Sequence, residues 1–409
     1  MILEPSPRTP KRGRYLIQNP AGAFLLGTID RCLSLLQPFR KKLPLRIPTP
    51  RKILLSNGAH LGDILISTGI LRLLKEVFPD ATLGFLTGSW SRHVLVDHPL
   101  IDHLHIVDHW KLNRSRSSLP KKIVRFAKTS DVAEREMIAV GYDVAFELYP
   151  FFPNNIPLIH RARIPVRIGY ASGGFGPLLT HSLHWNDENN RSVLWHQKEL
   201  VGTFFSIQEK SFAPFIYPDH DHSLRILTKL AEQFPLNDPY IIFHMGTGSS
   251  LKEWGQSRWS DLVDLFSKLP YRIILTGVGE REKQNVETLL LGNSSGPIVN
   301  LCDQLDWREF VAVIQGARLL ITVDSVAGHV AAATKTPCVI IGTGQNPKTL
   351  WHPLSDTSRV LVHPVPCSPC YRSRGCEGME CIMEISSQEV FEEALGLWDS
   401  NEIEKRYSE

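Results

Sequence analysis

Asp63 stands in LLSNGAHLGDILISTGILRLL, residues 54–74, where an apolar run passes through Gly58 and Gly62 into an amphipathic helix. Backbone amides at such a helix start ordinarily hold an anion, and a carboxylate there repels one. Asp63 therefore reads either as a cap of the following helix or as a general base that works on a proton. HMGTGSSLKEW, residues 244–254, has the opposite character. Small residues after a buried run leave amides accessible, Thr247, Ser249 and Ser250 offer hydroxyls, and Lys252 adds a positive charge. That combination is a cradle for a phosphate or diphosphate. It is not a Walker loop, because the G-x4-G-K-[ST] order is missing. In TVDSVAGHVAAATKTP, residues 322–337, Asp324 and Ser325 close an apolar run, and Gly328 and His329 open a helix of small residues. The Ser325 amide and hydroxyl, the first-turn amides and His329 suit anionic oxygens; Asp324 also reads as a simple helix cap. Gly277 to Glu280 follow a further apolar run.

Each of these groups sits just after a short apolar segment, and the elements around them show a repeated order. In the first half KILLSN, ATLGFLTG, IDHLHIVD and YDVAFELY read as strands, with STGILRLLKEVFP as a helix between the first two. In the second half YIIFHMG, YRIILTG, LLITVDS and CVIIGTG read as strands among the helices SRWSDLVDLFSKL, REKQNVETLLL, DWREFVAVIQGA and GHVAAAT. Short apolar runs alternating with amphipathic helices specify an α/β chain with parallel sheets. The expected organisation is a basic extension over 1–50, one Rossmann-like doubly wound domain over 51–218, a second over 219–390, and a helical tail over 391–409. Ligands of such sheets bind at the carboxyl ends of the strands, so the functional groups are expected at a cleft between the domains.

The 409 residues carry a net charge of only +3, unevenly spread. Residues 1–50 hold nine Lys or Arg against Glu4 and Asp30, and KLNRSRSSLPKKIVRFAK, residues 111–128, has seven Lys or Arg and no acid. Such runs read as solvated faces or as surfaces for an anionic acceptor or lipid headgroups. The segment 19–42 reads as an amphipathic helix with Leu25, Ile29, Leu33 and Leu36 near one face, which packs on its own protein or lies on a membrane surface. No apolar run is long enough to span a bilayer and no signal peptide is evident, so a cytoplasmic location is expected, with no nucleic acid as partner. Cys367, Cys370, Cys376 and Cys381 form a compact C-x2-C-x5-C-x4-C set, the one candidate for a zinc or iron–sulfur site. Cys32, Cys302 and Cys338 read as buried thiols. The only Asp-x-Asp pair near the sites is Asp219 and Asp221, at the domain boundary, read as solvated.

Taken together, Gly62-Asp63, TGSSLKEW, Gly277 to Glu280 and DSVAGH resemble, in order and spacing, the ADP-heptose:lipopolysaccharide heptosyltransferases of glycosyltransferase family 9. PCSPCYRSRGC also looks like that family's C-terminal region, and the resemblance covers about 51–390. It implies a GT-B architecture, two Rossmann-like domains facing a central cleft. It also implies inverting transfer of a sugar from a nucleotide diphosphate sugar to a lipid-linked envelope glycan, with neither cofactor nor metal. Asp63 matches the proposed general base and Lys252 the cation at the sugar-nucleotide phosphates. Thr247, Ser249, Asp324, Ser325, Gly328 and His329 fall where the family holds diphosphate and donor sugar, and Glu280 near the nucleoside. The basic insert 111–128 and ELYPFFPNN depart from the pattern on the acceptor half. A sugar-nucleotide-binding scaffold without catalysis, a GT-B-like epimerase, and a zinc or redox protein built on the four cysteines are the alternatives.

Overall fold

The structure is a computed structural model that describes residues 15–17, 19–35, 49–185, 191–205, 213–217, 220–232, 239–292, 298–353, 355–372 and 375–408. Asp219, Leu36 and most of the basic residues of 1–50 lie outside the described residues. The chain divides into two compact units with a boundary between Tyr217 and Pro218.

The first unit is built on a six-stranded sheet of β1 (Lys52–Ser56), β2 (Thr82–Thr87), β3 (His103–Ile106), β4 (Val144–Glu147), β5 (Val166–Tyr170) and β6 (His181–Leu183) in the order β3-β2-β1-β4-β5-β6. Every pairing is parallel. The second unit repeats the plan with β7 (Tyr240–His244), β8 (Arg272–Thr276), β9 (Ile298–Asn300), β10 (Leu319–Val323), β11 (Cys338–Ile341) and β12 (Ser358–Leu361), ordered β12-β11-β10-β7-β8-β9, again all parallel. The central strands β4, β7, β10 and β11 are buried at every residue, as parallel strands covered on both faces must be. Strand order reverses between β1 and β4 in one sheet and between β7 and β10 in the other, and ligand crevices form at such switch points.

Sequence periodicity located β1 to β4, β7, β8, β10 and β11. It passed over β5, β6, β9 and β12, and over the 22-residue helix Leu119–Val140. That helix starts inside the basic block and buries only Ser130, Ala133 and Met137, so its apolar stripe is too sparse to stand out. The C-terminal segment is a helix, Ser387–Ser408, whose Val390, Ala394 and Leu397 join the core of the second unit. Trp254, fully buried, ties the HMGTGSSLKEW loop to that core by donating from Nε1 to the Ile385 carbonyl at 2.9 Å.

The N-terminal helix Pro20–Leu35 packs on the first unit through Leu26, Leu33 and the buried Asp30. Asp30 accepts from the Tyr15 hydroxyl at 2.9 Å and from the Phe175 amide at 2.7 Å. The expected apolar face needs correcting, because Leu25 is exposed along with Phe24 and Leu35, and Leu26 takes the inward place. The Asp30 bonds fix the helix rotation there. Cys32 is also a correction: it is exposed, whereas Cys302 and Cys338 are buried as expected.

At the switch point of the first sheet lies a carboxylate that sequence reading did not single out. Glu147 ends β4 with no exposure, opposite Ser56 at the end of β1. It accepts from Ser56 Oγ at 2.8 Å, the Asn155 amide at 3.0 Å and the Tyr149 amide at 3.3 Å. Burial pushes its carboxyl up to about 8, against the pull of those three donors. The folded state therefore holds a proton that the unfolded chain releases above its ordinary carboxylate range. This stabilising contribution is whole at low pH and is lost as pH rises through about 8. Glu147→Gln keeps an oxygen acceptor without the titration. Urea midpoints at pH 5, 6.5 and 8 should fall less with pH in this variant than in wild type, and parallel profiles would show that Glu147 is ionised throughout.

Candidate active site

The first cluster surrounds Asp63. After β1 the buried Asn57 shapes the turn, its Oδ1 accepting from the Ala59 amide at 3.1 Å and its Nδ2 donating to Ser67 Oγ at 3.0 Å. His60 is the N-cap of the helix Leu61–Val77, and Asp63 stands at the third helical position. The His60 amide donates to Asp63 Oδ2 at 3.1 Å, so the helix-start role expected of Asp63 is real but is exercised from within the first turn. Burial and the nearby Arg114 charge hold the His60 imidazole down at about 4. Burial, then the Asp63 carboxylate, push the Tyr149 phenol up while Arg114 pulls it down. Asp63, Tyr149, His60 and Arg114 thus share one electrostatic neighbourhood.

The two departures on this half come together. Leu112 Cδ1 lies 3.7 Å from where a Cβ on Gly58 would stand, so the loop after β3 rests on the turn before Asp63. Lys111 Nζ sits 4.7 Å over the Phe152 ring, and His109 packs against Phe126 and Phe152 with ring centroids 4.6 and 6.4 Å apart. Lys122 fastens the loop by donating to the Asn113 carbonyl at 2.7 Å. Lys111 is thus a cation backed by an aromatic face.

The second cluster lies at the switch point of the other sheet. Lys252 Nζ is 2.6 Å from Asp324 Oδ2, with side-chain exposures of 29% and 15%. Burial opposes ionisation of Asp324, but the Lys252 ammonium, with lesser help from His352 and His329, outweighs it and holds the carboxyl below its usual range. Ser325 caps the helix Val326–Thr334 by accepting from the Ala327 amide at 3.3 Å, and its Oγ lies 3.0 Å from Thr322 Oγ1. His329 is buried in the first turn of that helix, its imidazole held at about 4 by burial against the pull of Asp324. Gly328 is a packing residue, since a Cβ there would meet Ile340 Cδ1 at 3.0 Å. Ser249 caps the short turn Ser250–Lys252 through the Leu251 amide.

Glu280 is exposed at the start of the helix Glu280–Gly292. The carboxylate that joins the loops after β7 and β8 belongs instead to Glu282, another residue that sequence reading missed. Its Oε2 accepts from the Val278 amide at 2.8 Å and the carboxylate also takes the Thr247 amide. Part of the amide array that the loop was expected to offer is thereby already used. A Cβ on Gly246 would fall 2.0 Å from Glu282 Oε2, so any larger residue there would displace that carboxylate. The signal for Glu282 lay in the repeat of Glu at 280 and 282, which sequence alone does not resolve.

The four C-terminal thiols are all free. Burial pushes the Cys381 thiol up, with smaller upward contributions from Cys370, Cys376 and Cys367. Among the described residues no three His, Cys, Asp or Glu are gathered so as to hold a metal ion.

Two parallel sheets, each with polar residues at its switch point and a lysine-bearing loop in the second, define an α/β transferase fold of the GT-B kind. Residues 135–379 match the family described as glycosyltransferase family 9 (heptosyltransferase), and the chain belongs to that family. Lipopolysaccharide heptosyltransferase 3 of Escherichia coli K12 is 24% identical over 305 residues, 72% of this chain and 83% of that protein. Among solved structures, a family 9 glycosyltransferase from Veillonella parvula superposes with a TM-score of 0.72 at 18% identity, covering 87% of this chain and 99% of the other. The Escherichia coli ADP-heptose lipopolysaccharide heptosyltransferase II gives a TM-score of 0.69 at 18% identity, covering 86% and 99%. The protein is a heptosyltransferase-like glycosyltransferase.

Lys252→Ala removes a charge-assisted contact and should weaken nucleoside diphosphate binding by roughly tenfold to a hundredfold. Calorimetric titration with ADP measures this, and an unchanged Kd removes Lys252 from the site.

Proposed function

We propose that this protein transfers a heptose-like sugar, with inversion and without a metal, from an ADP-linked donor to a lipid-anchored envelope glycan that carries negative charge. The observation that carries the donor half is the Lys252–Asp324 pair set between the loops after β7 and β10. A diphosphate leaving group needs a compact positive charge in a site of low dielectric, and Lys252 supplies one on a loop anchored by Trp254. The ADP donor follows from the name of the Escherichia coli enzyme that shares the fold.

Asp63 is the base of this reaction. Its carboxylate takes the proton of the attacking hydroxyl as the bond to the anomeric carbon forms and the bond to diphosphate oxygen breaks, which displaces the leaving group from the opposite face. A positioned base contributes roughly 10²–10⁴-fold. Lys111 and Arg114, on the loop that rests against Gly58, supply the cations for an anionic acceptor. Thr247, Ser249, Ser325 and His329 line the donor diphosphate, and Glu280 stands toward the nucleoside.

Asp63→Asn should lower kcat by about two to four orders of magnitude while ADP affinity stays within a few-fold. The assay is sugar transfer to lipopolysaccharide stripped of its terminal sugars, run with EDTA throughout. Near-normal turnover of the variant removes Asp63 as base, and wild-type activity that returns only with a divalent ion removes the metal-free mechanism.

No helix among the described residues is long and apolar enough to cross a membrane. The acceptor's anchor and the exposed Phe24, Leu25 and Leu35 on the N-terminal helix support peripheral contact with an anionic bilayer. The basic residues of 1–50 add on the order of 1 kcal/mol each near such a surface. Full-length protein should sediment with phosphatidylglycerol vesicles at low salt and be released at high salt, and Phe24→Ser with Leu25→Ser should reduce this. Equal binding to neutral vesicles, or no effect of the substitutions, rejects the contact.

A further inference from the structure

The amide that holds Asp63 belongs to a peptide that is gripped from its other side. The His60 N–H donates to Asp63 Oδ2 at 3.1 Å. The carbonyl of that same peptide unit is Ala59 C=O, and it accepts twice, from Trp90 Nε1 at 2.7 Å and from Ser91 Oγ at 3.1 Å. A carbonyl oxygen has two lone pairs, so these donors fill it. Because the peptide is planar, fixing its oxygen fixes the direction of its N–H. Donors on the oxygen also polarise the unit and strengthen the N–H as a donor in turn. The amide of Ala59, a residue only 1% exposed, donates to Asn57 Oδ1, which fixes the preceding peptide as well.

Trp90 and Ser91 are themselves held. They lie on the short 3-10 helix Ser89–Val94, which follows β2, the strand beside β1. Ser91 is fully buried, so solvent does not compete for its hydroxyl. The half-buried indole folds back on its own strand end, where a Cβ on Gly88 would stand 2.3 Å from Trp90 Cε2. The His60 ring faces it with centroids 6.3 Å apart. Asp108, buried after β3, pins the start of the helix by accepting from the Ser89 amide at 2.7 Å and from Ser89 Oγ at 2.9 Å, and it pairs with Arg125. One donor satisfies a buried carbonyl. Two donors that converge from adjacent, anchored residues fix its direction as well.

We propose that Trp90 and Ser91 are positioning residues of the transfer step: through the Ala59–His60 peptide they hold the Asp63 carboxylate in the orientation from which it takes the acceptor's proton. The role presupposes Asp63 as the base. Neither residue is assigned a contact with the reacting atoms. Loss of either donor frees the peptide to rotate, and the carboxylate bound to its amide with it, while the Lys252 loop of the second unit is unchanged. The expected signature is a loss in kcat that depends on Asp63 being present.

Sugar transfer and ADP binding are measured for Trp90→Phe, which keeps a ring without the N–H, and for Ser91→Ala, each in the wild-type and in the Asp63→Asn background. In the wild-type background each should lower kcat by about three- to tenfold, the worth of one neutral hydrogen bond, with acceptor KM and ADP Kd within about twofold. In the Asp63→Asn background, assayed at high enzyme concentration, the same substitutions should change the residual kcat by less than about twofold, because no base is left for them to position. An equal loss in both backgrounds marks a turn that only supports the fold and overturns the proposal, as does an unchanged kcat in the wild-type background. A raised acceptor KM with kcat intact makes Trp90 a binding surface and likewise overturns it. Near-normal turnover of Asp63→Asn alone removes the base and this proposal with it, whereas the other outcomes leave the base in place. Should Trp90→Phe not fold, Ser91→Ala, which keeps the indole and loses one oxygen, decides the cycle by itself. If neither variant folds, the helix Ser89–Val94 is a stability element and the proposal is rejected.

Discussion

The contact between Lys252 and Asp324 organises the switch point of the second sheet. A lysine on an irregular loop has four rotatable bonds and no reason of its own to point at one place. Asp324 supplies that reason, because it is fixed at the end of β10 by its amide bond to the Ile341 carbonyl. Breaking a fully buried pair by removing one member costs about 3–5 kcal/mol, and less here, since Lys252 keeps 29% of its side chain exposed. That remaining exposure leaves one face of the ammonium open to solvent, as the diphosphate role proposed for it requires.

Both sheets solve the same problem with the same device. At a switch point two neighbouring strands send their loops in opposite directions, and the loop amides need acceptors in a place that water scarcely reaches. Glu147 meets that need in the first sheet, joining the ends of β1 and β4 and the amides of Tyr149 and Asn155. Glu282 plays a related part in the second, beside its switch point, joining the loops after β7 and β8. Burial raises both carboxyls, a mark of acids kept for their hydrogen bonds rather than their charge. Asp324 is the exception, held ionised because a cation faces it.

Much of this was legible in the sequence, and the misses share a cause. The central strands announced themselves because a strand covered on both faces must be apolar throughout. Asp324 and Ser325 could be placed because they follow such a strand directly, and Lys252 because it lies on the loop that leaves one. Glu147 and Glu282 could not, because a buried carboxylate leaves no local pattern: its partners come from residues such as Ser56, which is distant in sequence, and from main-chain amides. The long helix Leu119–Val140 was hidden by its polarity. Rotation of the N-terminal helix was misjudged by one residue, because the contacts of Asp30 with Tyr15 and Phe175 set it, whereas the leucines alone suggested Leu25.

Asp63 shows why a structural bond and a catalytic role need not compete. An ionised carboxylate has about four acceptor positions, and the His60 amide occupies one of them, at Oδ2. That bond fixes the carboxylate against its own helix start, as the base role proposed for it requires. What looked in sequence like a carboxylate in an anion's place thus accepts one of the amides that would otherwise hold a phosphate. The proposed reaction accordingly seeks its diphosphate at the lysine-bearing loop of the second sheet.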